Sequence, residues 1–363
     1  MYKHLLRDSL RNLKPMVTGK PIEEVQQEYN LKEIIKLGSN ENPWGTSMKV
    51  LDAVKTEMSK INQYPANTSP TLRKVLASRL GVDEDMVIVS NGGASIFSLV
   101  TQAFVSNAEE VIMAKPTFPI YRRATLQNAG VPIEVPLLDF THDLDRMAAS
   151  IGKKTKVIVI CNPNNPTGTI VTHSALERFM NGIPESVLVV LDDVYADFCT
   201  SPDCPDSIAF IRSGKPVISI RTFSKLYGLA GIRIGYAVAP KDFIECLGIV
   251  QEPFAVNRLA HAAALAALED NEFRDFVIRE TIKSRGELYE ELSGMGLKCI
   301  PSHANFVFAD LKKNAQAIFK SLLARGFIIR AMEAWEMPTW ARITVGTREQ
   351  NHQLSKVLRE LLS

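Results

Sequence analysis

Seven short apolar runs, at residues 87–89, 110–113, 133–135, 156–161, 187–191, 217–220 and 234–238, constrain this chain more than any other feature. Each is nearly continuous in apolar character rather than alternating, the pattern of a strand covered on both faces. Segments with helical spacing, such as 95–105 and 174–180, lie between them. Strand alternating with helix argues for an α/β domain, a mostly parallel seven-stranded sheet sandwiched by helices. After about residue 255 the texture changes. Residues 258–269 are alanine-rich and 272–292 read as a long charged amphipathic helix; strands are predicted at 305–308, 327–330 and 342–345, and a closing helix at 351–362. The pattern predicts an N-terminal arm with part of a small domain over 1–45, a large domain over 46–256, and a smaller α+β domain over 257–363.

Charge and cysteine usage narrow the function classes. Lys plus Arg total 42 against 40 for Asp plus Glu, a net charge of +2 over 363 residues. A nucleic-acid footprint would need a concentrated basic face, so none is expected. No apolar run approaches the roughly 20 residues of a membrane helix, and the first residues, MYKHLLRDSLRNLKP, lack an apolar signal core. The five cysteines and six histidines are scattered without metal spacing. Reduced thiols, no metal and a cytoplasmic protein are the expectation.

The chemistry-bearing residues follow predicted strand ends, where open α/β sheets collect their sites. In SIRTFSKLYGLAGIRIG, residues 219–235, Lys225 follows Thr222 and Ser224, and Arg233 comes eight residues later beyond a glycine-containing turn. A lysine there can form a Schiff base, and the hydroxyls and arginine can hold a phosphate. Those are the two services that pyridoxal phosphate needs from one site. In KVIVICNPNNPTG, residues 156–168, a strand runs into a turn that places Asn165 where an amide can donate to a cofactor oxygen. In VLVVLDDVY, residues 187–195, Asp192 ends a strand with Tyr195 three residues on. Taken alone, such residues also occur as surface turns and helix caps; their order along one chain is what gives them weight.

That order and spacing resemble the fold-type I pyridoxal-phosphate enzymes, and more closely the histidinol-phosphate aminotransferases. The likeness runs through GKPIEEV (19–25), KLGSNENPWGTS (36–47), ANFVF (304–308), IIRAM (328–332) and ARITVGT (341–347), so it covers nearly the whole chain. It implies that Lys225 bonds the cofactor's aldehyde and shuttles a proton, and that Asp192 pairs with the pyridine nitrogen. It implies that Asn165 and Tyr195 bond the ring's phenolic oxygen, and that Phe118, in KPTFPIY, stacks on the ring. The phosphate falls to Thr222, Ser224, Arg233 and the backbone amides around Gly93 and Ala94, where a glycine pair precedes a helix. Arg342, helped by Arg330, would grip an anionic substrate end. Tyr64 would reach the neighbour's cofactor phosphate in a homodimer with a shared active site.

The resemblance implies transamination of L-histidinol phosphate with 2-oxoglutarate. Alternatives are an aromatic amino acid aminotransferase and, using the same cofactor parts, a threonine-phosphate decarboxylase. A ligand-sensing domain of a transcription regulator would need a DNA-binding module ahead of a likeness that begins by about residue 7. Four departures stand out: Ala94-Ser95 where an acidic pair often follows the glycine turn, Asp192-Asp193-Val194-Tyr195 for Asp-Glu-Ala-Tyr, Met16 where a tyrosine commonly follows Lys-Pro, and Phe118 where tyrosine also occurs. The Met16 region helps recognise the substrate's phosphate in the family, so the amino donor is where these departures bear.

Overall fold

The computed structural model describes residues 2–16 and 19–363; Met1, Val17 and Thr18 of the expected arm lie outside the described residues. In chain order the strands are β1 (Ile35–Lys36), β2 (Val87–Ser90), β3 (Glu110–Lys115), β4 (Val131–Pro136), β5 (Thr155–Cys161), β6 (Leu188–Asp192), β7 (Val217–Thr222), β8 (Gly235–Val238), β9 (Lys298–Ile300), β10 (Phe306–Asp310), β11 (Phe327–Ile328), β12 (Arg330–Ala331) and β13 (Trp340–Thr344). The seven strands expected from the apolar runs form one sheet in the order β2-β8-β7-β6-β5-β3-β4. Strand β8 is antiparallel to β7 and β2, whereas β7, β6, β5, β3 and β4 pair in parallel.

The continuous apolar runs are explained by cover on both faces. Successive strand residues point to opposite sides. Val157, Val159 and Cys161 pack with the helices Gly93–Phe104, Ile120–Gln127 and Lys241–Val250, while Ile158 and Ile160 pack with Leu144–Ala149, His173–Gly182 and Ser207–Arg212. Over residues 157–161 neither face meets water, so no position there needs a polar side chain outward. Burying one such side chain is worth roughly 1.5–3 kcal/mol, and the two clusters fix the large domain.

The last third builds a second unit. Strands β12-β13-β10-β9 form an antiparallel sheet, packed with the helices Asn271–Ser293 and Arg348–Leu362. The predicted strand at 327–330 is corrected: it divides at Ile329. Strand β11 pairs in parallel with β1, matching Ile35 to Phe327, while β12 pairs with β13. The cause is the close crossing of residues 37–38. Leu37 N–H donates to Ile328 O at 2.7 Å and its carbonyl accepts from Thr344 N–H at 2.8 Å. A Cβ on Gly38 would come within 3.1 Å of Ile329 O.

The expectation of five reduced thiols is also corrected. Cys199 and Cys204 form a disulfide, because the turn after residues 196–198 returns their Cα atoms to 6.6 Å, within bonding reach. Cys161, Cys246 and Cys299 are free. Among the described residues, no helix is long and apolar enough to cross a membrane, and no cluster of three or more His, Cys, Asp or Glu is placed to hold a metal.

Candidate active site

The carboxyl ends of β5, β6 and β7 lie side by side, with Cys161 opposite Asp192 and Asp192 opposite Ile220. The strand order reverses between β3 and β5, the kind of crevice in which open α/β sheets bind ligands. A cleft of about 1600 Å³ opens there, wide enough for a cofactor and a substrate together. The large domain lines its floor, and the N-terminal segment and small domain line its wall.

Lys225 leaves β7 after Thr222 and Ser224, and its Nζ donates to Ser39 O at 3.2 Å. Burial lowers its pKa to about 8, aided by the Arg342 and Arg233 charges and opposed by Glu41 and Asp192. Asp192 is 5% exposed. Burial raises its pKa to about 6, with Asp193 adding to the rise, while bonds from Tyr121 and the Val194 N–H pull it back. The Tyr121 hydroxyl donates to Asp192 Oδ2 at 2.5 Å, and Val194 N–H donates to Oδ1 at 3.3 Å. A carboxyl held this way is neither a surface acid nor a helix cap.

Tyr195 is buried, with Lys225 Nζ 5.8 Å from its ring centre. Its hydroxyl accepts from Asn40 Nδ2 at 2.9 Å and, more weakly, from Asn165 Nδ2 at 3.5 Å. Burial pushes its pKa up. Asn165 is buried, and its Oδ1 accepts from Arg342 Nη1 at 2.6 Å. Phe118 lines the cleft and meets Tyr121 edge-on at 5.8 Å.

The residues expected to hold a phosphate converge from three elements. Gly93 and Ala94 open the helix Gly93–Phe104, whose first N–H groups have no partner within the helix. Thr222 and Ser224 are buried at the end of β7, Ser224 N–H donating to Thr222 Oγ1 at 3.0 Å. Arg233 adopts a left-handed backbone, φ 62°, and its guanidinium donates to Ala230 O and Asn91 O. It lies so close over Gly92 that a Cβ there would come within 2.7 Å of Nη2. All five residues line the cleft.

Arg342 is buried on β13, donating from Nη2 to Gly38 O at 2.7 Å as well as to Asn165. Its Nε has no partner, and burial lowers its pKa to about 10. Arg330 faces it across the β12–β13 pairing and lays its guanidinium 5.2 Å over the Trp335 ring. Met16 also lines the cleft. Tyr64 is not brought to this cleft: it is 78% exposed and stacks on Phe254 at 4.7 Å.

The model of the family described as aminotransferase class I and II matches residues 32–358. The chain belongs to that family. A histidinol-phosphate aminotransferase from Moorella thermoacetica is 42% identical over 358 residues, 98% of this chain and 93% of the relative. The crystal structure of histidinol-phosphate aminotransferase from Sinorhizobium meliloti, in complex with pyridoxal-5'-phosphate, superposes with a TM-score of 0.91 at 26% identity, covering 98% of this chain and 97% of that one. L-threonine-O-3-phosphate decarboxylase from Porphyromonas gingivalis is 27% identical, with a TM-score of 0.81 over 91% of this chain and 99% of that one. The two-domain architecture is that of fold-type I enzymes.

Within this aminotransferase, two contacts went unassigned in the sequence. Tyr121 lies in the KPTFPIY segment that supplied Phe118, yet nothing local marks its hydroxyl as a partner of Asp192, 71 residues on. Asn40 lies in SNENP, and its partner Tyr195 is 155 residues away. The only local sign at Asn40 is its left-handed backbone, φ 55°, which asparagine tolerates better than most residues.

Proposed function

We propose that this aminotransferase transfers the amino group of L-histidinol phosphate to 2-oxoglutarate, giving imidazole-acetol phosphate and glutamate, with pyridoxal 5′-phosphate as its cofactor. One observation carries the chemistry: a lysine with its pKa lowered to about 8 shares a cleft with a buried carboxyl held by a tyrosine. The residues fit the cofactor. Lys225 would hold its aldehyde carbon, Asp192 its ring nitrogen and Phe118 its ring face. Asn165 and Tyr195 would hold its phenolic oxygen, and Thr222, Ser224, Arg233 and the Gly93 and Ala94 amides its phosphate. Bound here, the cofactor supplies an electron-accepting ring for the pair released when the substrate's Cα–H bond breaks.

The chain supplies the proton transfers. At pH 7 a lysine with a pKa of about 8 is roughly one-tenth neutral, against about one part in three thousand at the ordinary value of 10.5. Neutral Nζ of Lys225 is the base that would take the Cα proton and deliver it to the carbon that had been the cofactor's aldehyde, C4′. Asp192, drawn to its ionised form by a cationic partner, keeps the ring nitrogen's proton in place. Arg342 and Arg330 present two guanidinium groups to one cleft, suited to a phosphate or a carboxylate. One arginine pair thus serves both histidinol phosphate and 2-oxoglutarate.

The relatives' substrate and the shared architecture support this reading over the two others. An aromatic amino acid aminotransferase is not favoured, and the threonine-phosphate decarboxylase superposes less closely than the histidinol-phosphate aminotransferase, with a TM-score of 0.81 against 0.91. A cytoplasmic setting belongs to the proposal, because a phosphorylated amino donor does not cross a lipid bilayer unaided. So does a homodimer in which Tyr64, exposed among Met58, Ile61 and Phe254, reaches the partner's phosphate cradle.

The test is a half-reaction. The protein is loaded with pyridoxal phosphate, and its visible spectrum is followed as histidinol phosphate, phenylalanine, tyrosine or threonine phosphate is added singly without an oxo-acid. Histidinol phosphate alone should convert the cofactor efficiently to its amine form. Conversion by the aromatic amino acids and not by histidinol phosphate would overturn the donor assignment.

A further inference from the structure

Tyr195 sits at the end of a chain of hydrogen bonds whose direction is fixed at its far end. The backbone N–H of Asn40 donates to Thr344 Oγ1 at 2.9 Å. A main-chain N–H can only donate, so the Thr344 hydroxyl directs its own proton elsewhere, and Asn40 Oδ1 lies 3.0 Å away to accept it. That fixes the Asn40 amide: Oδ1 faces Thr344, and Nδ2 faces the Tyr195 oxygen at 2.9 Å. Asn165 is fixed in the same way from the other side. Its Oδ1 accepts from Arg342, a group with no acceptor atom, so its Nδ2 also faces Tyr195.

We infer that Asn40 is a positioning residue that commits the Tyr195 hydroxyl to donate its proton into the cleft. With two amide donors on its oxygen, that hydroxyl directs its proton to neither of them and offers it to an acceptor in the cleft. The acceptor, on the reading proposed above, is the cofactor's phenolic oxygen. The whole chain is buried: Asn40 is 1% exposed and Thr344 1%. Water therefore does not reorient it. Asn305 Nδ2 anchors the Asn40 carbonyl at 3.2 Å. The titratable and charged groups near the hydroxyl are Arg342, Cys161, Asp192 and Lys225, and none of them is a partner of Asn40.

Asn40→Asp tests this. Aspartate also tolerates the left-handed backbone, but it cannot donate to the hydroxyl. Its carboxylate would instead accept a hydrogen bond from the Tyr195 hydroxyl and draw that donor away from the cleft. The measurement is the pH titration of the visible absorption of the cofactor-loaded protein, in wild type, Asn40→Asp, Tyr195→Phe and the double variant. A phenolic oxygen that loses its donor holds the nearby Lys225-linked proton more tightly. Asn40→Asp should therefore raise the spectral pKa by about one unit, the scale of one hydrogen bond, towards the Tyr195→Phe value. In the Tyr195→Phe background the same substitution should add nothing. A wild-type titration in Asn40→Asp would overturn the inference, and so would an equal rise in both backgrounds, since that would be the new charge acting through space. If Asn40→Asp does not fold, Thr344→Val frees the amide and should give a smaller rise that Thr344→Ser reverses; no rise in Thr344→Val overturns it equally. A wild-type protein that forms no visible chromophore would instead refute the cofactor reading on which the inference rests.

Discussion

The two walls of the cleft are built differently. On the large-domain wall, Asn165, Asp192 and Lys225 follow three neighbouring parallel strands, and each lies in a short contiguous motif. On the opposite wall, Asn40, Arg330 and Arg342 come from the beginning and end of the chain and meet through the β1–β11 and β12–β13 pairings. The first wall is a sheet edge that places the groups proposed to hold the cofactor. The second depends on pairing between remote segments, and it carries the two arginines proposed to meet the substrate's anionic end. On the reading proposed above, reaction type is therefore set by the wall that one sheet edge supplies, and substrate choice by the wall that closes only when remote segments pair.

The largest test of this contrast is Lys225→Ala. Turnover should fall by at least about 10⁴-fold, while circular dichroism and the melting temperature show an intact fold. Transamination persisting near the wild-type rate would remove Lys225 from the chemical wall. Arg342→Ala should show the opposite character. KM should rise on the order of 30-fold or more for both substrates, the scale of a lost charged pair, with a smaller change in kcat. A loss confined to kcat would place Arg342 with the chemistry.

The chemical wall should also weaken the folded state without cofactor, in a way set by pH. The native pKa of Lys225 lies below its unfolded value. Below about pH 8 both states bind the proton, and burial of the charge opposes folding in full. Between about 8 and 10.5 the unfolded state binds more protons, so this penalty fades as pH rises. Cofactor-free Lys225→Met should then melt several degrees above wild type at pH 7, with the gap narrowing above pH 8. Thermal scans at pH 7 and 10 would expose a constant gap, the result that contradicts it. The smallest effect is expected at the substrate wall: Met16→Tyr should lower KM for histidinol phosphate by about threefold through one added hydrogen bond, and an unchanged KM would show that position 16 does not touch the donor.

Legibility in the sequence follows the same division. The sheet was readable because residues buried on two faces must be apolar, as 157–161 of β5 and 188–191 of β6 are. Lys225, Asp192 and Asn165 were readable because strand ends and turn residues mark their own positions. The split at Ile329 was not, since it arises from the crossing of Leu37 and Gly38, almost three hundred residues earlier. Nor was the Tyr121 hydroxyl, whose sequence signal is that of any core aromatic. The bond between Cys199 and Cys204 matched no motif spacing and became visible only once the turn had folded. Tyr64 faces away from its own chain's cleft, so one protomer says where it is and leaves its role to the proposed dimer.

The pairing of β1 with β11 has a consequence for the protein's synthesis. The bond from Asn40 to Thr344 spans 304 residues, so the segment that aims Tyr195 leaves the ribosome about three hundred residues before its partner. The large sheet can assemble while translation continues, with Lys225 already near its place. A nascent or truncated chain ending before residue 327 would hold that lysine beside an unfinished wall. Competence for the reaction arrives only once residues 327–344 have been made and have closed on residues 35–40.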